Sequence, residues 1–261
     1  MGALVGASGQ DGAVGSLFAV SDVHGYLDDL VEGLTTVGLL DDRRRWVGGD
    51  DRLWVLGDLT DRGPDGIGVV DLLRDLQRQA PGQVHVLMGN HEALALGRKR
   101  FPYGRFHDSW VLNGGRLRDQ EALTDEHFAW LAGLPALAQV DGHLLMHSDT
   151  AAYLTWGESV DQVNATVAGL LASGEEEDSW EVFARLTSRY HFTRAGGTDV
   201  ARGMLATYGG ERIVHGHSVI ASLTGRSSAT VDGPLEYADG LVLAIDGGRY
   251  DGGPLLVVRL E

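Results

Sequence analysis

Aspartate, asparagine and histidine residues stand at the ends of five short apolar runs of the chain. They are Asp22 and His24 in SDVHG, Asp58 in GDLTDRG, Asn90 in GNHE, His147 in MHSD and His217 in VHGHS. Carboxylate, amide and imidazole groups are the side chains that bind divalent cations such as manganese, iron and zinc. Because the chain has no Cys, thiolate ligands are excluded and a metal must be held by nitrogen and oxygen donors.

Each of these residues has an ordinary explanation when it is considered alone. Asp or Asn at a strand-to-helix turn commonly caps the helix, and a single His on a strand is usually a structural residue. Independent turns, however, have no reason to supply a full set of metal-binding donors on one edge of a sheet. The set matches a site for two divalent cations, which lie about 3.5 to 4 Å apart and share an anionic ligand.

Asp58 is the candidate for the carboxylate that bridges the two cations. Asp22 and His24 are predicted to complete the protein ligands of the first cation. The second cation is predicted to bind Asn90, His147 and His217. Two divalent cations with two carboxylate ligands leave a net charge of about +2, which suits a phosphate dianion.

The order of the predicted elements indicates how the chain brings these residues together. Strands are predicted at 17–20, 52–58 and 83–90, and a segment with helical spacing of apolar residues follows each. This repetition predicts an α/β fold with a mostly parallel sheet, in which ligands bind beyond the carboxyl ends of the strands. Further strands are predicted at 143–147, 212–218, 241–246 and 254–260, and further helices around 158–172 and 179–189.

The remaining segments suggest one domain with an insertion. Residues from about 97 to 140 carry aromatic and charged side chains without strand signals, so a mostly helical, cap-like insertion is predicted there. Residues 1–16 are rich in glycine and are predicted to be a flexible leader, and residues 17–261 are predicted to form one domain.

Composition limits the partners and the location. The 261 residues include 21 Lys and Arg against 37 Asp and Glu, a formal net charge of -16, which repels the phosphate backbone of nucleic acids. No apolar run approaches the roughly 18 residues that span a bilayer, and the start lacks the features of a signal peptide. We therefore expect a cytoplasmic protein that binds neither nucleic acid nor membrane.

The motifs SDVHG, GDLTDRG, GNHE, MHSD and VHGHS, in this order and spacing, resemble the calcineurin-like metallophosphoesterase superfamily. Within it they are most similar to the phosphoprotein phosphatase (serine/threonine phosphatase) branch, including its bacterial and Shewanella-like members. The resemblance runs from about residue 17 to the last strand. It implies a β-sandwich flanked by helices, a four-layer α/β/β/α arrangement, with the metal pair at one sheet edge.

The resemblance also implies roles for residues beside the metal ligands. His91 is expected to point at the substrate and protonate the leaving group, with Asp61 accepting its other N–H. Arg62 is expected to bind phosphate oxygens through its fork of donors, and Asn90 is also expected to contact the substrate. Arg194, in HFTRAGG, is the candidate for a second phosphate-binding arginine, and Glu92 is expected to orient a ligand by a hydrogen bond.

The function implied is a dinuclear metal-dependent phosphomonoesterase that uses a metal-activated hydroxide for in-line attack on phosphorus. Manganese is the metal expected in vitro, with iron and zinc as alternatives, and the substrate is a phosphoprotein or a small phosphoester. Two other functions remain open: a phosphatase for small metabolites or nucleotides, including dinucleoside polyphosphates, and an inactive metal-binding scaffold.

The chain departs from the family pattern at two places. Met88 stands where many protein phosphatases have an arginine before GNHE, which predicts one cation fewer around the phosphate. Ser148 and Asp149 replace the usual pair of glycines after His147, which predicts a different pocket floor with an extra negative charge. The role of His215, two residues before His217, stays open.

Overall fold

The structure, a computed structural model, describes residues 15–261. Most of the predicted leader lies outside these residues, so the leader stays a prediction. Within this range the strands are β1 (Leu17–Val20), β2 (Arg52–Val55), β3 (Val84–Val86), β4 (Leu137–Val140), β5 (His143–Met146), β6 (Arg212–His215), β7 (Leu235–Tyr237), β8 (Val242–Ala244) and β9 (Val258–Leu260).

The described α-helices alternate with the early strands and cluster between β3 and β4 and between β5 and β6. They are α1 (Leu27–Thr36), α2 (Gly66–Gln79), α3 (Asn90–Arg100), α4 (Arg105–Leu112), α5 (Leu117–Ala122), α6 (Asp125–Ala132), α7 (Val160–Ala172), α8 (Glu176–Thr187), α9 (Gly197–Tyr208) and α10 (Ile220–Thr224). Three short 3₁₀ helices lie at Ala151–Thr155, Ser228–Thr230 and Arg249–Asp251.

The strands form two sheets with the orders β3-β2-β1-β9 and β4-β5-β6-β8-β7. The inner strands of each sheet run parallel, and the antiparallel strands β9, β4 and β7 lie at sheet edges. A small apolar cluster joins residues of both sheets, including Leu17, Leu56, Leu145 and Val214, so the two sheets face each other. The predicted mostly parallel pairing is confirmed for the inner strands, but they are divided between two sheets.

Helices cover the outer faces of this sandwich. In β1, Leu17 and Ala19 face the other sheet, whereas Phe18 and Val20 belong to the larger core that the helices complete. A strand buried on both faces needs this unbroken apolar run. Helix α1 buries Leu27, Leu30 and Leu34, the spacing of one helical face, against the same core. The predicted four-layer α/β/β/α fold is confirmed.

The segment predicted as an insertion contains α4, α5 and α6, so its mostly helical character is confirmed. It also contains β4, a strand that the sequence did not predict and that pairs with β5 in the second sheet. The helices α9 and α10 and the strand β7 were also not predicted. Among the described residues, no helix is both long enough and apolar enough to cross a membrane.

Candidate metal centre

The six predicted metal ligands lie together at one end of the sandwich. Asp22 and His24 follow β1, Asp58 follows β2, and His147 and His217 follow β5 and β6. Asn90, the first residue of α3, contacts His147. The prediction that one sheet supplies all of them is wrong, because β1 and β2 belong to one sheet and β5 and β6 to the other. The two sheets converge on a common site.

The two oxygens of the Asp58 carboxylate face imidazole nitrogens on different sides. Asp58 Oδ2 lies 3.6 Å from His24 Nε2, and Asp58 Oδ1 lies 3.5 Å from His147 Nε2. Asp22 Oδ1 is 3.8 Å from His24 Nε2, and Asn90 Oδ1 is 2.9 Å from His147 Nε2. The Asp58 carboxylate therefore lies between two groups of atoms that could bind a metal.

His24, His147 and His217 each donate one ring N–H to a backbone carbonyl, which leaves a lone pair on the other ring nitrogen. His24 donates Nδ1–H to the Thr60 carbonyl at 3.0 Å, and His147 donates Nδ1–H to the Leu56 carbonyl at 2.7 Å. His217 donates Nε2–H to a backbone carbonyl at 3.0 Å, which leaves Nδ1 free. Acceptor nitrogens thus face acceptor oxygens, and the buried atoms His24 Nε2 and Asp58 Oδ2 have no hydrogen-bond partner. A cation satisfies this arrangement, so the residues fit a metal.

Burial keeps two of these imidazoles neutral. It lowers the pKa of His24 well below its usual value, and the positive charges of Arg62 and His91 lower it further. Burial likewise lowers the pKa of His217, with help from His147 and Arg189. Neutral imidazoles offer their lone pairs to a metal without first losing a proton.

The two carboxylates shift in opposite directions. Burial alone would raise the pKa of Asp58, but the surrounding histidines, His147 first, outweigh burial and lower it. Burial and the charge of Asp58 raise the pKa of Asp22. Asp58 is therefore the anion at the centre of the site, and Asp22 carries the repulsion that a bound cation relieves.

The backbone of the site adopts an unusual conformation. Eleven described residues other than glycine have positive φ, and six of them are predicted site residues: Asp22, His24, Asp58, Asp61, Arg62 and His217, with φ between 45° and 68°. Such left-handed conformations cost free energy and concentrate where function requires a fixed side-chain direction. Asp22, Asp58 and His217 adopt this conformation in the turns that follow β1, β2 and β6.

Glu92 holds the turns that carry the ligands, as the sequence predicted. Its carboxylate accepts N–H bonds from Asp58 and Leu59 at 2.8 Å and from Gly89 at 2.9 Å. These bonds fix the backbone of Asp58 against the start of α3.

His91 and Asp61 form a buried pair beside the metal ligands. His91 Nδ1 donates to Asp61 Oδ2 at 2.8 Å, and the backbone N–H of His91 donates to Asp58 Oδ1 at 2.9 Å. Burial would lower the pKa of His91, but the charges of Asp58 and Asp61 and the hydrogen bond to Asp61 together raise it. The pair therefore has the contact that the sequence predicted.

Arg62 lies beside His91 and Tyr250 at the site. Its Nη2 atom is 3.4 Å from His91 Nε2, and its guanidinium lies 3.9 Å from the centre of the Tyr250 ring. The Tyr250 ring in turn contacts the His24 ring edge-on, with ring centres 5.4 Å apart. The sequence did not single out Tyr250, which lies in the short 3₁₀ helix Arg249–Asp251.

The second predicted arginine, Arg194, is exposed, and its charge acts on His191, whose pKa burial and Arg194 lower. Its role as a phosphate ligand stays a prediction. Arg189, which the sequence did not single out, is within electrostatic range of the site. Burial raises the pKa of Tyr250, and the charges of Arg62 and Arg189 oppose this rise.

The two departures from the family pattern have structural explanations. Met88 is fully buried in the larger apolar core, so its side chain is not exposed to a substrate. Asp149 is also buried, and its carboxylate accepts bonds from the Tyr190 N–H and the Ser218 hydroxyl. The Asp149 carboxylate is therefore hydrogen-bonded to Tyr190, the residue after Arg189, and to Ser218. It is not an unpaired negative charge in the pocket.

His215 and Asp246 complete the surroundings. His215 contacts the Gly216 carbonyl through Nδ1 and the Tyr237 hydroxyl through Nε2, both at 2.8 Å, so its two nitrogens are used structurally. Asp246, which the sequence did not single out, follows β8 and is buried with one oxygen unpaired. Burial and the charge of Asp22 raise its pKa well above the usual value. Asp246 stands at the end of a predicted strand, as the predicted metal ligands do, and this position could have identified it from the sequence.

Gly216 lets the two sheets approach at the site. A Cβ at this position would lie 2.3 Å from Asp22 Oδ2 and closer still to the Ser21 hydroxyl. We expect Gly216→Ala to displace Asp22 and lower manganese affinity by about 10- to 100-fold, the range for residues that orient a ligand. Calorimetric titration of the metal-free protein with manganese measures this affinity. Gly169→Ala, in α7 with open space around it, is the control, and equal affinity of both variants would contradict the expectation.

Comparison with known proteins agrees with this geometry. Serine/threonine-protein phosphatase 1 of Salmonella typhimurium is 30% identical over 155 residues, 56% of this chain and 64% of that protein. Shewanella-like protein phosphatase 2 of Arabidopsis thaliana is 35% identical over 81 residues, 30% of this chain and 21% of that protein. The matches therefore span less than two thirds of either relative.

Solved structures show the same fold. A cold-active protein tyrosine phosphatase superposes with a TM-score of 0.74 over 95% of this chain and 74% of that chain, at 22% identity. The family model of the calcineurin-like phosphoesterases matches residues 16–221 of this chain. This match covers most of the chain, and the protein therefore belongs to the calcineurin-like phosphoesterase family.

Proposed function

We propose that this protein is a dinuclear metal-dependent phosphomonoesterase of the serine/threonine phosphatase type. The observation that carries the proposal is the position of Asp58, whose two carboxylate oxygens face His24 on one side and His147 on the other. A carboxylate placed in this way is suited to bridge two cations.

In this proposal Asp22, His24 and Asp58 would hold the first cation. Asp58, Asn90, His147 and His217 would hold the second. When bound, the two cations supply the charge that lowers the pKa of a water molecule and neutralises the phosphoryl oxygens. The nitrogen and oxygen donors suit manganese, iron or zinc, and manganese is proposed for activity in vitro.

The chain's own residues bind and orient the phosphate. Arg62 is proposed to bind phosphate oxygens with its fork of donors, and its stacking on Tyr250 limits the directions in which the fork can point. Asn90 directs its oxygen at His147, which leaves its NH2 group for a phosphate oxygen. Arg189 is better placed than Arg194 to be the second phosphate-binding arginine, because its charge acts on His217 and Tyr250.

His91 is proposed to donate the proton that the leaving oxygen needs. Asp61 accepts the Nδ1–H of His91 and so directs Nε2 toward the side where Arg62 lies. A protonated imidazole in this position can transfer its Nε2 proton to the leaving alkoxide or phenolate. An inactive scaffold has no need for such a proton donor, which argues against that alternative.

The proposed substrate is a phosphoprotein, in keeping with the phosphatase names of the relatives, and the proposed location is the cytoplasm. The net charge of -16 disfavours nucleic-acid partners. Small phosphoesters and dinucleoside polyphosphates are the competing substrates.

Hydrolysis of p-nitrophenyl phosphate after removal and return of metal tests the proposal. We expect chelator-treated protein to be inactive and added manganese to restore monoester cleavage, with bis(p-nitrophenyl) phosphate cleaved much more slowly. A panel of phosphopeptides, sugar phosphates, nucleotides and diadenosine polyphosphates then identifies the substrate class by a preference of about tenfold or more. No metal-dependent hydrolysis in protein that holds two ions per chain would contradict the proposal.

A further inference from the structure

Helix α4, in the segment predicted only as a cap, reaches the His91–Asp61 pair through one side chain. Trp110 Nε1 donates to Asp61 Oδ1 at 3.1 Å. We propose that Trp110 is a positioning residue for proton transfer, because its indole N–H fixes the Asp61 carboxylate that orients His91. This inference rests on the proposed function and adds a residue outside the metal-binding motifs.

The Asp61 carboxylate has three donors, divided between its two oxygens. Oδ2 accepts from His91 Nδ1 at 2.8 Å, whereas Oδ1 accepts from Trp110 Nε1 and from the backbone N–H of Arg116 at 2.9 Å. A carboxylate bound only to His91 could rotate and carry the imidazole with it. The two donors on Oδ1 fix the plane of the carboxylate and therefore the direction of His91 Nε2.

Trp110 is itself held in one position. Its side chain is 5% exposed, and the guanidinium of Arg98 lies 4.0 Å from the centre of its ring system. A Cβ at Gly115 would lie 2.1 Å from the ring, so this close packing requires glycine there. Few other positions of the indole are compatible with these contacts.

The turn after α4 also holds the phosphate-binding arginine. The backbone N–H of Arg62 donates to the Gly114 carbonyl at 3.0 Å, and its side-chain Nε donates to the Asn113 carbonyl at 3.3 Å. One segment of the predicted insertion thus contacts both the proton donor pair and the phosphate-binding arginine. Within this segment, the Trp110 side chain donates its hydrogen bond to Asp61 of the proton donor pair and not to Arg62.

Trp110→Phe tests the proposal, because it removes the N–H and keeps an aromatic ring. We expect kcat for a phosphoserine peptide to fall by about tenfold, since a hydrogen bond to a charged group is lost. KM should stay the same, and kcat for p-nitrophenyl phosphate should change less than about twofold, because its weakly basic leaving group needs little protonation. Equal losses on both substrates would show a merely structural role and overturn the proposal.

Two comparisons make the test specific. Trp130→Phe is the matched control, because its Nε1 donates to Gln77 in α2, away from the site, and it should change neither substrate. Added to Asp61→Asn, Trp110→Phe should cause no further loss, because the two residues act through one contact. Gly115→Ala, which pushes the indole away, should reproduce the selective loss.

A measurement without metal separates this inference from the proposed function. In metal-free protein, solvent exchange of the His91 Nδ1–H, followed by NMR, should be faster in Trp110→Phe than in the wild type. An unchanged exchange rate would overturn the positioning role. Absence of hydrolysis by the metal-loaded wild type would instead overturn the proposed function and leave the exchange result valid.

Discussion

Asp58→Asn is expected to abolish the binding of a metal pair. The substitution keeps the shape of the side chain and removes the charge that lies 3.6 Å from His24 Nε2 and 3.5 Å from His147 Nε2. An amide offers one oxygen and cannot bridge two cations as a carboxylate does. Affinity should therefore fall by more than the roughly 10- to 100-fold that follows from losing a residue that only orients a ligand.

Metal content and thermal unfolding measure this effect. Wild-type protein should bind two manganese ions per chain and gain about 2.7 kcal/mol of stability for each bound ion at a free metal concentration 100 times the dissociation constant. Asp58→Asn should bind at most one ion and gain much less. Asp75→Asn, in α2 and away from the site, should behave like the wild type. Two tightly held ions in Asp58→Asn would refute the bridging role.

The predictable part of the site is the part carried by local sequence. Asp22, His24, Asp58 and Asn90 each follow an apolar run after a short turn, so the strand ends indicated that these residues converge. The division into two sheets was not readable from periodicity, because a buried strand of either sheet has the same apolar run. Only the resemblance to a known family implied the sandwich.

The residues that the sequence missed depend on contacts between distant segments. Trp110 contacts Asp61 across 49 positions, and nothing in the sequence of α4 distinguishes a tryptophan that donates to a carboxylate from one that packs in a core. The strands β4 and β7 lack the unbroken apolar run that identified β1, because Gln139 interrupts β4 and Glu236 interrupts β7. Their position is set by pairing with β5 and β8. Helix α9 did carry helical spacing, in Ala201, Met204, Leu205 and Tyr208.

His91→Ala is expected to lower turnover of phosphoserine peptides by about 10²- to 10⁴-fold while both metals stay bound. The loss follows from removing the proposed proton donor. The metal ligands should keep their places, because the His91 contact with Asp58 is made by the backbone N–H, at 2.9 Å, which alanine retains. His85→Ala is the control, since His85 stacks on Trp54 in β2 and lies outside the site.

The comparison of leaving groups decides what His91 does. Its ring also lies close to Asp58 and His24 in a group that could hold a metal, so a ligand role is the competing explanation. A proton donor predicts normal metal content and a larger loss on phosphoserine than on p-nitrophenyl phosphate, whose leaving group needs little protonation. A metal ligand predicts reduced metal content and similar losses on both substrates. Unchanged turnover would contradict both roles and leave His91 as a residue that only packs beside the metal ligands.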